Sequence, residues 1–92
     1  MALRFTPDAF EADIHSDDAR LLLDKIAWLW ANREQVRHTP LKGNLAGFYK
    51  RRKGNFRIIY TYENDEDEMV IHLVDTRENV YEKIGKKGVS RP

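Results

Sequence analysis

Residues 41–62, LKGNLAGFYKRRKGNFRIIYTY, decide how this chain is read. Two extended runs, 48–53 and 56–62, flank Gly54-Asn55, the arrangement of a tight β-hairpin turn. Strand alternation sends Phe56, Ile58, Tyr60 and Tyr62 to one face and Arg57, Ile59 and Thr61 to the other. In the preceding strand Phe48, Lys50 and Arg52 share a face, and Tyr49, Arg51 and Lys53 share the opposite one. Tyr49 is the better core candidate, which places Lys50 and Arg52 beside Arg57 on an uncovered face as a phosphate-sized cluster of cations. Arg51 and Lys53 then lean toward the core, at a desolvation cost unless their stems lie along apolar surface. A register displaced by one residue would put Arg51 and Lys53 on the open face instead, and alternation alone does not choose between the two.

Charge singles out the same stretch. Between Glu34 and Glu63 there is no carboxylate, while Arg37, Lys42, Lys50, Arg51, Arg52, Lys53 and Arg57 all fall there. A concentrated basic field attracts polyanions, of which phosphate is the commonest. The plain alternative is a solvated basic edge strand that resists aggregation. The net charge of +1 conceals this feature, because it averages the basic stretch against the acidic run Glu63-Asn64-Asp65-Glu66-Asp67-Glu68. That run reads as a solvated hairpin turn, since it lacks the glycine of a calcium-binding loop.

Ninety-two residues, 41% hydrophobic and 34% charged, predict one soluble domain with a single core. Without cysteine there is no disulfide, no thiolate metal site and no cysteine nucleophile. The three histidines are too scattered for a metal site: His72 reads as a half-buried strand residue, and His15 and His38 as helix-end or loop residues with nothing to act upon. The longest apolar run, around Ile26 to Ala31, is far too short to span a bilayer, and the first residues lack a secretory pattern. A cytoplasmic protein without a membrane role is expected.

In chain order, Ala2 to Phe5 reads as a short strand and Thr6-Pro7-Asp8 as the start of a first helix over Pro7 to His15. Ser16-Asp17-Asp18 offers an N-cap for a second helix to about Arg33, with Leu22, Ile26 and Leu29 buried and Asp24, Lys25, Asn32 and Arg33 left to water. Trp28 and Trp30 cannot share one helical face, so one of them sits partly exposed. After Pro40, Gly43 and Gly47 the two strands described above follow, then a third over Met69 to Val74. Arg77 to Ile84 reads as a further helical turn or strand, and 85–92 as a flexible tail of the single domain.

The ordered set LKGNLAGFYKRRKGNFRIIYTY, then VIHLVDTRENVY, resembles the RelE/ParE family of toxins over residues 5 to 82. The resemblance implies an α+β fold with two N-terminal helices packed on one face of a small, mainly antiparallel sheet. It also implies the toxin of a type II toxin–antitoxin pair, with a cognate antitoxin whose helix or extended arm covers the basic face or the helices. RelE-like members cut mRNA in the ribosomal 30S A site without metal or cofactor; ParE-like members inhibit DNA gyrase. A non-catalytic RNA-binding module of the same fold is a third alternative.

Position by position, the resemblance assigns the site to Lys50, Arg52, Arg57, Arg77 and Tyr81; the positive charge of the basic stretch adds Lys42, Arg51 and Lys53 as expected RNA-binding residues. Arg51 and Lys53 depart from the family pattern, which usually has apolar residues there; Thr76 stands where a histidine or another polar residue often precedes the arginine. In such a site repulsion among crowded cations favours loss of a proton from Lys50, the general base for the 2′-hydroxyl. Arg52 and Arg57 hold the phosphate, Arg77 assists the leaving group and Tyr81 stacks on a base. Arg77 has a structural alternative, a salt bridge to Glu78 or Glu82.

Overall fold

The computed structural model describes residues 1–10 and 12–88. In chain order the elements are β1 (Ala2–Phe5), α1 (Ser16–Ala31), β2 (Thr39–Pro40), a 3₁₀ turn (Gly43–Leu45), β3 (Tyr49–Lys53), β4 (Phe56–Glu63), β5 (Glu68–Thr76) and α2 (Arg77–Gly88). The described strands form one sheet in the order β1-β5-β4-β3-β2, antiparallel except for β1 against β5. Alternating residues and two short turns build its centre. Gly54, with φ 57°, takes the left-handed position of the β3–β4 turn that a side chain would strain.

The register answers the question that alternation left open. Tyr49 opposes Tyr60, Arg51 opposes Ile58 and Lys53 opposes Phe56, while Lys50 opposes Ile59 and Arg52 opposes Arg57. Opposed residues point to one face. Lys50, Arg52 and Arg57 therefore stand together, and Arg51 and Lys53 lie on the other side.

That other side is covered by α1. Leu22, Ile26 and Leu29, spaced four and three apart, form the helix's buried stripe and pack with Ile58, Tyr60, Met69, Ile71 and Val74. Burying each such aliphatic side chain contributes about 1.5–3 kcal/mol. The N-cap is His15 rather than the expected Ser16: its Nδ1 accepts the Asp17 N–H at 3.2 Å, ahead of Asp17 and Asp18 in the first turn. Of the two tryptophans, Trp28 is the exposed one and Trp30 packs against the core.

Two expectations about the helices need correction. Pro7–Phe10 is a turn and not the start of a helix. The Ala9 carbonyl that a helix would use internally accepts the Val74 N–H at 2.9 Å, and the Thr6 hydroxyl donates to the His72 carbonyl at 3.1 Å. The segment thus continues along β5 where β1 stops, and tertiary pairing overrides the local start signal. The second helix is α2, at the C-terminal side, and it runs through Gly85 to Gly88, which were expected to belong to a flexible tail. The last four positions, 89–92, lie outside the described residues.

α2 packs on the face opposite α1. Val80 and Ile84 are buried with Phe48, Ile59 and Leu73. The fold is therefore α+β with a mainly antiparallel sheet between an N-terminal and a C-terminal helix, and not a sheet with two N-terminal helices on one face. The face expected to be open is partly closed, because Phe48 and Ile59 need a cover as much as Ile58 and Tyr60 do. A bulge makes this possible: the ladder steps from Ile59–Leu73 to Tyr60–Ile71, leaving His72 as the extra residue. Ile71 and Val74 can then both face α1 while Leu73 faces α2.

Candidate functional site

Lys50 and Arg52 on β3 and Arg57 on β4 line a cleft of about 340 Å³ together with Lys25, Thr39 and Arg51. Five of these six residues are cationic and none is acidic. Because β2 pairs only with Tyr49 and Lys50, the β3 edge is open from Arg51 onward. Lining residues from both faces meet there: Lys25 and Arg51 from the α1 side, Lys50, Arg52 and Arg57 from the other.

Arg52 and Arg57 oppose one another directly across the ladder, an arrangement that disfavours the folded state when both are charged. Arg57 Nη1 donates to the Gly54 carbonyl at 3.2 Å and the Phe56 carbonyl at 2.9 Å, which anchors its head. Among the described residues no carboxylate forms an ion pair with Lys50, Arg52 or Arg57. An anion from outside the chain would supply that missing charge.

α2 completes the strip. Lys50 Nζ lies 5.9 Å from the centroid of the half-buried Tyr81 ring. Arg77, the first residue of α2, is tied by its backbone N–H to the Asn55 carbonyl at 3.1 Å, beside the β3–β4 turn. Arg77 and Tyr81 are four residues apart and share one ridge of the helix. That ridge runs back along the hairpin from its turn toward Lys50. Arg77 is exposed, does not line the cleft, and has no ion pair to Glu78 or Glu82 among the described residues.

The three further cations do not form one group. Arg51 is half-buried in the cleft wall: it donates to the Arg37 carbonyl at 3.0 Å and lies 5.9 Å from the Trp28 ring, and its buried Nε has no partner among the described residues. The Arg37 carbonyl compensates part of the desolvation cost of Arg51's inward face, and the buried Nε leaves the rest uncompensated. Burial pushes the Tyr60 hydroxyl up to about 12, and the neighbouring Arg51 guanidinium offsets only part of that. Lys53 lines a different cleft, with Leu21, Leu22 and Phe56, and Lys42 is exposed just before the 3₁₀ turn.

Several residues near the site escaped sequence reasoning. Lys25, expected to face water only, lines the cleft and covers Trp28 at 4.0 Å. His38, expected to have nothing around it, is caged by Tyr49, Tyr60 and Tyr62; Nδ1 pairs with the Tyr60 hydroxyl at 2.6 Å and Nε2 with the Arg33 carbonyl at 2.8 Å. It ties the residues after α1 to the central strands. No sequence signal marks it, since the tyrosines around it are 11 to 24 positions away. His72 is half-buried as expected, bonded to Thr61 at 3.0 Å and edge-on to Phe48. Among the described residues no cluster of His, Cys, Asp or Glu is placed to hold a metal ion, and no helix is long and apolar enough to cross a membrane.

Known proteins resemble this chain in sequence and fold. No protein-family model matches the chain. Toxin RelG of Mycobacterium tuberculosis is 31% identical over 84 residues, covering 88% of this chain and 95% of RelG. The toxin–antitoxin complex RelBE2 of the same organism contains a chain with 30% identity and a TM-score of 0.61, over 82% of this chain and 88% of that one. The isolated Escherichia coli RelE toxin superposes with a TM-score of 0.63 at 19% identity, over 92% and 95% of the two chains, a likeness of fold alone. With an RelG match that spans nearly all of both sequences, the chain belongs to the RelE family of toxins.

Proposed function

We propose that this toxin is an endoribonuclease that cuts mRNA on the ribosome by attack of a ribose 2′-hydroxyl on the adjacent phosphate. The observation that carries the reading is the acid-free cluster of Lys50, Arg52 and Arg57 with Tyr81 beside it. Lys50 takes the 2′-hydroxyl proton. The 2′-oxygen forms its bond to phosphorus as the bond to the 5′-oxygen breaks, leaving a 2′,3′-cyclic phosphate and a 5′-hydroxyl that takes its proton from solvent. Arg52 and Arg57 stabilise the charge that builds on the equatorial oxygens. Arg77 acts electrostatically on the departing oxygen, since a guanidinium is a poor acid. Tyr81 stacks on a base, which contributes roughly 1–3 kcal/mol of sequence-tolerant affinity. Lys25, Arg51, Lys42 and Lys53 add attraction for the flanking backbone.

A cognate antitoxin would restrain the toxin, as the RelBE2 relative's toxin–antitoxin complex suggests. An acidic segment laid over the cleft would neutralise it.

Lys50→Arg is the sharpest test, because arginine keeps the charge but cannot surrender its proton. In a translating extract the expected result is ribosome-bound mRNA left whole by Lys50→Arg and cut by the parent protein with 2′,3′-cyclic ends. Intact cleavage by Lys50→Arg would remove Lys50 as base. A parent protein that blocks gyrase supercoiling and spares mRNA would overturn the ribonuclease reading itself.

A further inference from the structure

Asp75 is the one buried charged residue among the described residues, 3% exposed, and it borders a cleft between the 12–18 segment and α2 rather than the cationic one. The ladder sets it directly opposite Arg57, on the neighbouring strand and the same face. The bulge at His72 is what places it there, by shifting the phase of β5. Opposed residues in an antiparallel pair have Cα atoms roughly 4.5–5.5 Å apart, so an arginine and an aspartate in this relation are within reach of a salt bridge. They do not form one.

The carboxylate is held by the end of its own strand and by α2 instead. Oδ1 accepts the Thr76 N–H at 2.7 Å, and Lys83 Nζ of α2 stands 2.6 Å from Oδ2. Oδ2 is buried without a well-directed hydrogen bond, so the Lys83 ion pair is its main compensation. Arg57 turns the other way, to the Gly54 and Phe56 carbonyls.

We propose that Lys83 is a positioning residue that keeps Asp75 away from Arg57, so that the Arg57 guanidinium stays open to an RNA phosphate. The inference rests on the reading of Arg57 as a phosphate ligand. An Arg–carboxylate pair is short and often bidentate, and it uses the same donors that a phosphate would. Without Lys83, a buried carboxylate is left uncompensated and Arg57 is the nearest cation by register. Lys83 thus governs the site from the helix that also carries Arg77 and Tyr81.

Lys83→Met, Asp75→Asn and the double variant decide the matter. The probe is a short oligoribonucleotide with a single 2′-deoxy position, which binds without being cut, followed by fluorescence anisotropy. Lys83→Met is expected to weaken binding by roughly tenfold or more, the scale of one charge-assisted contact. Asp75→Asn stays near the parent, and Lys83→Met/Asp75→Asn recovers most of the loss because no carboxylate remains to capture Arg57. If Lys83 only clamps the helix, the double variant stays as weak as Lys83→Met, and the proposal is overturned.

Nitrogen NMR of the Arg57 side chain reads the pairing without RNA. A slowed, shifted Nε–H in Lys83→Met that reverts in the double variant supports the guard role; an unchanged signal sinks it. Should the parent protein bind no RNA while this NMR signature holds, the ribonuclease reading fails and the Asp75–Arg57 competition stands. If Lys83→Met does not fold, Lys83→Gln, which retains a hydrogen bond without charge, takes its place in both measurements.

Discussion

The sheet has two charged ends that are treated in opposite ways. At the β4–β5 turn two carboxylates of the acidic run are knitted into the protein: Asp67 takes Arg33 Nε at 2.5 Å and Nη2 at 2.7 Å, accepts the Tyr62 hydroxyl at 3.1 Å, and Glu68 pairs with Arg4 at 3.2 Å. Arg33 in turn lies 3.8 Å from the Trp30 ring. At the β3–β4 end, Lys50, Arg52 and Arg57 are crowded together with no acid of their own. Charge that serves the fold is paired within it, whereas charge held together against repulsion is available to a ligand. The acidic run was expected to be a solvated hairpin turn; Glu63 to Glu66 are exposed as that reading has it, while Asp67 and Glu68 are paired within the fold.

The contrast is open to attack from both ends. The largest effect is expected at the basic end. Lys50→Ala/Arg57→Ala should lower mRNA cleavage by at least about 10²–10⁴-fold, the range of a lost general base, with growth inhibition lost and the unfolding midpoint preserved. A double variant that unfolds instead would make these cations structural and erase the distinction.

At the acidic end the pattern reverses. Asp67→Asn should lower the unfolding midpoint while leaving cleavage at parental rates. The Arg33 guanidinium, with help from the Tyr62 hydroxyl, holds the Asp67 carboxyl down at about 2, against an ordinary 3.8. A group with a depressed native pKa stabilises the fold above its ordinary value, so this contribution is complete above about pH 5 and is lost as pH falls toward 2. Acid unfolding of Asp67→Asn should therefore lack that part of the slope, which urea titrations across pH 2 to 5 would reveal. An unchanged slope would mean that the pair is ornamental.

The smallest effect concerns repulsion. Arg52→Gln removes one of two directly opposed guanidiniums, and a slight rise in the unfolding midpoint is expected at low salt, shrinking at 0.5 M salt as screening shortens the range of the interaction. A fall in the midpoint would show that Arg52 is paired within the fold, contrary to the geometry.

The hairpin was legible because its determinants are local. Gly54-Asn55 and the alternation on either side specify the turn and which residues share a face; Tyr49 as the better core residue then favoured Lys50, Arg52 and Arg57 as one group, and the paired register decided it. Arg77 and Tyr81 came from the family resemblance, and the helix that carries them was foreseen only as a helical turn or a strand. The segment from Pro7 was misjudged because its helix-start signal competes with β5 for the same backbone groups, and β5 is more than 60 residues away. His38 and the Asp75–Lys83 pair were invisible for a related reason: each depends on side chains brought together from separate elements.

Composition, charge spacing and period-two alternation by themselves determined a small mixed domain with a cationic hairpin, because each of these properties is carried by neighbours in the chain. Tertiary structure decided which face each helix covers, where the β5 ladder slips at His72, and that Asp75, opposite Arg57 in the ladder, pairs with Lys83. Those outcomes follow from long-range packing of Phe48, Ile59 and Leu73 against α2, a competition among distant surfaces that no local pattern encodes.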